Sequence, residues 1–373
     1  MMARLRAYAG LVVVPALSIL LALLVASFLI ILSALIGPEG KFNLTLPLVA
    51  YWSLLEGALG SLRGIANMIV AATPLVLTGL AVGVGLKAGL FNIGATGQVL
   101  LGGFAAALVG ERLAQAPPLI AIGAAVVGGI LAGALAGFIP GFLKAFTGAH
   151  EVVTTIMLNA LIQLIISGSV NDVFRAAGPT FARTASVGAA ELSGLGNTTL
   201  HLGVLLAFAC VPFSYWLLWR TTLGFEIRAV GANPTAARYA GMSPRRMIML
   251  TMSLCGAFAG MAGAIEILRL GYYPAVFGTS IGFDGITVAL LGQAHPIGIM
   301  FSGLLLGAMR AGAPLMQIEA HVPVEIIDVI QGVILIFLTA EVVVRRVFRL
   351  KAARVEAGEL QTITRTYGEK VAG

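Results

Sequence analysis

The chain is organised by where charge is missing. Charge-free runs extend over Ala7–Pro38, Gly64–Leu86, Ala88–Gly110, Leu113–Leu143, Val152–Asn171, Leu192–Trp219, Met247–Ile265 and Gly285–Met309; a last apolar stretch, Val329–Val344, is interrupted only by Glu341. A hydrocarbon core about 30 Å thick is crossed by roughly 20 apolar residues in a helix, so these runs read as spans. The first follows Arg4 and Arg6 as a signal peptide would, yet it far exceeds an apolar core of roughly 7–15 residues and reads as a retained span. Between Gly285 and Ala313 the polar run Gln293, Ala294, His295, Pro296 intervenes. Proline removes a helix donor, so a broken or re-entrant helix is expected near His295-Pro296, tolerable where protein or a wet cavity covers it. The expectation is an all-α polytopic transmembrane helical bundle with eight to ten crossings. It forms a single transmembrane domain over residues 1–345, followed by a basic tail at 346–373.

Composition agrees with a bilayer as solvent: 59% of residues are apolar and 10% charged, with a mean hydropathy of +0.99, against roughly 25% charged in a soluble domain. Of the 23 Lys and Arg, two lie at the N-terminus, five between Arg220 and Arg246, and seven from Arg345 onward. The positive-inside rule makes those three stretches cytoplasmic and the linkers 37–63 and 172–191 the outside segments. Both termini inside require an even number of crossings, so one of the nine apolar segments is miscounted. The net charge of +7 is thereby explained by topology, with no basic face or aromatic-interleaved patch for nucleic acid. Gly129, Gly133, Gly137 and Gly141, and the pairs Gly256/Gly260 and Gly303/Gly307, have the small-xxx-small spacing of close helix contacts in membranes. Cys210 and Cys255 lie in apolar runs without paired spacing and read as small buried hydrophobes.

Several chemistries are missing. No GxxxxGK[ST] loop occurs, so the chain carries no phosphate-binding loop of its own. The four histidines are scattered outside any metal-binding spacing, and no nucleophile elbow is present; an enzyme and a metal site are both disfavoured. Glu266, Asp284, Glu325 and Asp328 flank spans, which leaves a gradient-driven relay little to build on.

Two stretches carry information instead. Gly89 to Gln98 combines Gly89, Gly94 and Gly97 with Phe91, Asn92, Thr96 and Gln98; hydrogen-bonding groups in an apolar region need partners or a wet cavity. They line a solute path or bond helix to helix. Asn159 and Gln163, four residues apart, share one helix face and have the same two readings. In the loop 220–246, Asn233 is a good N-cap, Pro234 suits the first helical position, Ala237 favours helix, and Gly241 is placed to end it. This short capped helix, carrying Arg238, either lies at the membrane surface or is pushed by another subunit. Glu151 complements the start of the span beginning near Val152 or offers a second cytoplasmic contact.

The loop Gly224–Gly241 resembles the coupling region of permease subunits of ATP-binding cassette importers, in the group for branched-chain amino acids, simple sugars and nucleosides. Gly89–Gln98, His150–Asn159 and Gly282–Gly292 resemble the same group, in the expected order. The likeness extends over roughly residues 64–345 and is greatest to the longer of two paired permeases in nucleoside-type importers. It implies a transport subunit moving a small polar solute by alternating access, most readily a nucleoside, with a simple sugar next. A standalone secondary transporter or channel is the reading from another class. It also implies a second related permease, a cytoplasmic ATPase holding ATP and Mg, an extracytoplasmic solute-binding protein, and a bacterial plasma (inner) membrane location. By the same likeness Asn233, Pro234, Ala237, Arg238 and Gly241, with Glu151, would contact the ATPase.

Overall fold

The computed structural model describes residues 17, 19–32, 35, 44–196, 198–278 and 280–339. Arg4, Arg6, Glu341, the basic cluster from Arg345 and the tail at 346–373 lie outside the described residues. The helices, in chain order, are α1 (Ile19–Leu32), α2 (Leu46–Leu59), α3 (Leu62–Lys87), α4 (Ala95–Arg112), α5 (Pro118–Thr147), α6 (Glu151–Asn171), α7 (Leu202–Arg220), α8 (Thr222–Ala232), α9 (Pro234–Tyr239), α10 (Pro244–Leu270), α11 (Ser280–Leu291), α12 (Pro296–Ala320) and α13 (Ile326–Thr339). Among the described residues there is no strand, only one isolated bridge between Arg183 and Pro274. Helices α3, α5, α6, α7, α10 and α12 are each long and apolar enough to cross a membrane. The protein is an all-helical, multi-pass membrane protein.

The elements depart from the charge-free runs for local reasons. Although Ala88–Gly110 is free of charge, α4 starts only at Ala95, because the preceding residues form a turn in which Gly89 has φ +69°. Helix α10 runs on past Glu266 and Arg269, since those two charges pair with each other at i,i+3 and need no exit to water. The segment 37–63, expected as a linker, contains α2. The helical break expected near His295-Pro296 is present: α11 ends at Leu291, α12 begins at Pro296, and Gln293 and Ala294 between them have positive φ.

Two compact units are distinguished, Met1–Ile65 with Ala308–Gly373, and Ala66–Gly307. In the first, the Tyr51 hydroxyl of α2 donates to the Leu23 carbonyl of α1 at 2.6 Å, and Ser53 donates to the Glu319 carboxylate. The second is built around α4, α5 and α10. A Cβ on Gly133 would lie 2.2 Å from the Gly256 carbonyl oxygen, so only glycine allows α5 and α10 to lie backbone to backbone. Close approach of this kind supplies the dispersion that replaces hydrophobic drive in lipid. Cys210 and Cys255 are both free and buried.

Candidate functional site

The turn between α3 and α4 holds a buried polar cluster. Asn92 and Gln98 are buried and bond reciprocally: the Asn92 amide donates to Gln98 Oε1 at 2.9 Å, and the Gln98 amide donates to Asn92 Oδ1 at 3.3 Å. Asn92 Oδ1 also accepts from the Gly94 N–H at 3.0 Å, closing the turn that leads into α4. Asn159, on α6, spans to the same turn; its Oδ1 accepts from the Gly97 N–H at 2.8 Å and its amide donates to the Ile93 carbonyl at 2.9 Å. Asn92 and Gln98 thus fasten the turn to the start of α4, and Asn159 fastens α6 to both. Thr96 is buried, its hydroxyl without a partner among the described residues, pressed against Gly282 of α11, where an added Cβ would come within 2.4 Å of Thr96 Oγ1. Phe91 is half-buried beside this cluster.

Gln163 stands apart. It lies one turn further along α6 than Asn159, is exposed, and lines a cavity of about 390 Å³ with Leu100, Ser167, Tyr273 and Phe277. Asn159, Gln163 and Ser167 thus occupy one α6 face at i, i+4 and i+8. Sequence reasoning stopped at Gln163. Continuing the spacing by one turn reaches Ser167, but nothing in the local pattern points to Tyr273 and Phe277, which follow the left-handed Gly271 at the end of α10.

The loop between α7 and α10 forms two helices. Thr221 caps α8 by accepting from the Gly224 N–H at 3.0 Å; this helix was not expected. Asn233 then caps α9, its side chain accepting from the Ala236 N–H at 2.9 Å, with Pro234 at the first helical position. Ala240 is the C-cap, and Gly241 follows with φ +86°, the left-handed residue after a helix end. Ala237 is buried, whereas Asn233, Arg238, Tyr239 and Gly241 are exposed. Glu151, buried at the start of α6, is ion-paired with Lys144 near the end of α5. Its carboxylate is therefore committed within this chain.

These regions touch through backbone. At Gly231, near the end of α8, an added Cβ would lie 2.3 Å from the Lys87 carbonyl oxygen, and one on Gly89 would lie 3.1 Å from the Gly231 carbonyl oxygen. The α8–α9 segment therefore rests on the turn that carries Asn92. Backbone contacts thus link α8 to the Gly89 turn, and Asn159 links that turn to α6.

Residues 64–339 match the family described as branched-chain amino acid transport system / permease component. The chain belongs to this permease family. It is 37% identical to the guanosine ABC transporter permease protein NupP of Bacillus subtilis, over 89% of this chain and 94% of the relative. It is 35% identical to the nucleoside ABC transporter permease protein NupB of Lactococcus lactis subsp. cremoris, over 94% and 98%. It is 32% identical to the glucose ABC transporter permease protein TsgB13 of Haloferax volcanii, over 78% and 80%. No solved structure matches. As a permease-family member the chain is a transport component and not an enzyme, which sets the standalone carrier or channel aside.

Proposed function

We propose that this permease carries a nucleoside inward across a bacterial plasma membrane, driven by ATP hydrolysis on a separate subunit. The observation that carries this reading is the likeness, over nearly the whole of both chains, to permeases named for guanosine and for nucleosides. A simple sugar is the second reading, favoured by the lesser likeness to a glucose permease. Both termini and the α8–α9 loop lie in the cytoplasm, as the clustered Lys and Arg imply. The six long helices, completed by some of the shorter apolar helices, make eight to ten crossings. A second related permease, a cytoplasmic ATPase that holds ATP and Mg, and an extracytoplasmic solute-binding protein complete the machine.

In this reading the ATPase presses on α9, whose exposed Asn233, Arg238 and Gly241 and buried Ala237 suit a rigid part held on its own protein and offered outward. The thrust passes through Gly231 and the Gly89 turn to the amide cluster, and alternating access follows from the rearrangement of α4 against α6. Glu151, held by Lys144, braces the α5–α6 turn beside that contact. Uptake of labelled guanosine, with glucose as the comparison solute, tests the solute in cells carrying or lacking this chain. Guanosine uptake lost with the chain supports the reading. Unchanged guanosine uptake together with lost glucose uptake replaces it with the sugar reading.

A further inference from the structure

The cavity beside Gln163 has features that the amide cluster lacks. Its volume of about 390 Å³ lies in the range of small-molecule sites, roughly 300–1,000 Å³. One wall is α6, contributing Gln163 and Ser167; a second is Leu100 of α4; the third is the loop carrying Tyr273, Val276 and Phe277. That loop is fixed. The Thr184 N–H donates to the Tyr273 carbonyl at 2.9 Å, the Tyr273 N–H donates to Thr184 Oγ1 at 3.0 Å, and the Ala275 N–H donates to the Ala182 carbonyl at 2.9 Å. The Tyr273 ring is set edge-to-face on Phe104 at 5.5 Å and lies 5.4 Å from Phe277.

The polar equipment is sparse and specific. Gln163 has no hydrogen-bond partner among the described residues, and its exposed carboxamide offers one donor face and one acceptor. Ser167 donates to the Leu164 carbonyl at 3.2 Å and keeps its lone pairs free. No charged side chain lines the cavity among the described residues. A phosphate placed there would be stripped of water without a cation to meet it, whereas a neutral heteroaromatic solute would find aromatic walls and one amide. Glutamine carboxamides match the adjacent donor and acceptor on a nucleobase edge, and aromatic side chains take base rings whatever the base.

We infer that this chamber seats the base of a passing nucleoside, with Gln163 reading the base edge, Tyr273 and Phe277 forming its apolar wall, and phosphorylated nucleotides turned away for want of a cation. The inference rests on the nucleoside reading above and names the place in the path where the solute is held. It also gives the α9-to-α6 route an end point, because Gln163 is one helical turn from Asn159.

The test uses the complete importer in cells, with tritiated adenosine and inosine as probes, which differ at the base edge as amino donor against carbonyl acceptor. Initial uptake rates are compared at matched membrane abundance. Gln163→Leu lowers uptake of both about tenfold, the order expected for losing a two-point base contact. Gln163→Glu keeps the size of the side chain but offers only acceptors, so at the N7 edge it keeps the contact to adenosine's amino group while losing the one to N7, and meets two acceptors, O6 and N7, on inosine; both rates fall, inosine further, changing the adenosine-to-inosine ratio about tenfold. A Gln163→Glu variant at wild-type abundance whose ratio stays within about twofold of wild type overturns the inference and leaves nucleoside transport standing. Absence of uptake of adenosine, inosine and guanosine alike in cells with the intact chain overturns the functional reading and this inference with it.

Discussion

Asn92 and Gln98 gain from the structure the partners that sequence leaves open. Polar groups in an apolar run point equally to a path or to a packing bond, because sequence supplies the groups but not their partners. Here the two amides satisfy each other. Removing one partner of a buried hydrogen bond costs about 1–3 kcal/mol. Asn92→Ala and Gln98→Ala should each lower thermal stability in detergent by about that much, and the double variant should lose less than the two added. Strictly additive losses would contradict the pairing. A second residue-scale expectation concerns His201, the N-cap of α7 just outside that span. It is buried and neither ring nitrogen has a partner among the described residues. Burial first and then Arg269 hold its pKa below the usual 6.5, while Glu266 opposes them. The unfolded chain therefore binds a proton here at a higher pH than the folded one, so stability is full above about pH 6.5 and falls as pH drops toward the lowered value. Melting temperature measured from about pH 7.5 to about pH 5.5 should decline less in His201→Leu than in the wild type; parallel declines would contradict it.

At the scale of elements, α9 shows how far local chemistry can be read directly. Asn233 as cap, Pro234 at the first position and Gly241 past the end were all legible, because capping depends on neighbours in sequence. Helix α8 was not expected: the capping signal of Thr221 lies directly against the end of α7, with no composition change to mark a new start. The Tyr273–Phe277 wall was equally hidden, since it is placed by bonds to residues about 90 positions earlier. Helix α9 is too short to be stable alone, so breaking it should leave the spans in place. Ala237→Pro removes the bond from the Ala237 N–H to the Asn233 carbonyl, 3.0 Å long, at a cost of about 3 kcal/mol. Membrane abundance should stay normal while pulldown of the ATPase subunit weakens severalfold. Undiminished pulldown would remove α9 as the docking element.

At the scale of the whole molecule, six of the nine apolar runs hold helices long and apolar enough to span, because lipid leaves few alternatives: backbone polar groups in a bilayer are satisfied within helices, and charge is kept out. The only sequence signal for direction across the membrane is the Lys and Arg clusters. Ser243, the exposed N-cap of α10, reports it: Ser243→Cys should resist an impermeant thiol reagent added to intact cells and react once the membrane is opened. The central claim is that a motor outside this chain drives nucleoside uptake through α9, and one comparison addresses it most directly. Initial rates of labelled guanosine uptake are measured in energised cells whose nucleoside entry depends on this importer, with the intact chain or Ala237→Pro at equal abundance. The account predicts rapid uptake with the intact chain and a fall to near background with the variant. Full uptake by the variant, or none by the intact chain, would contradict it.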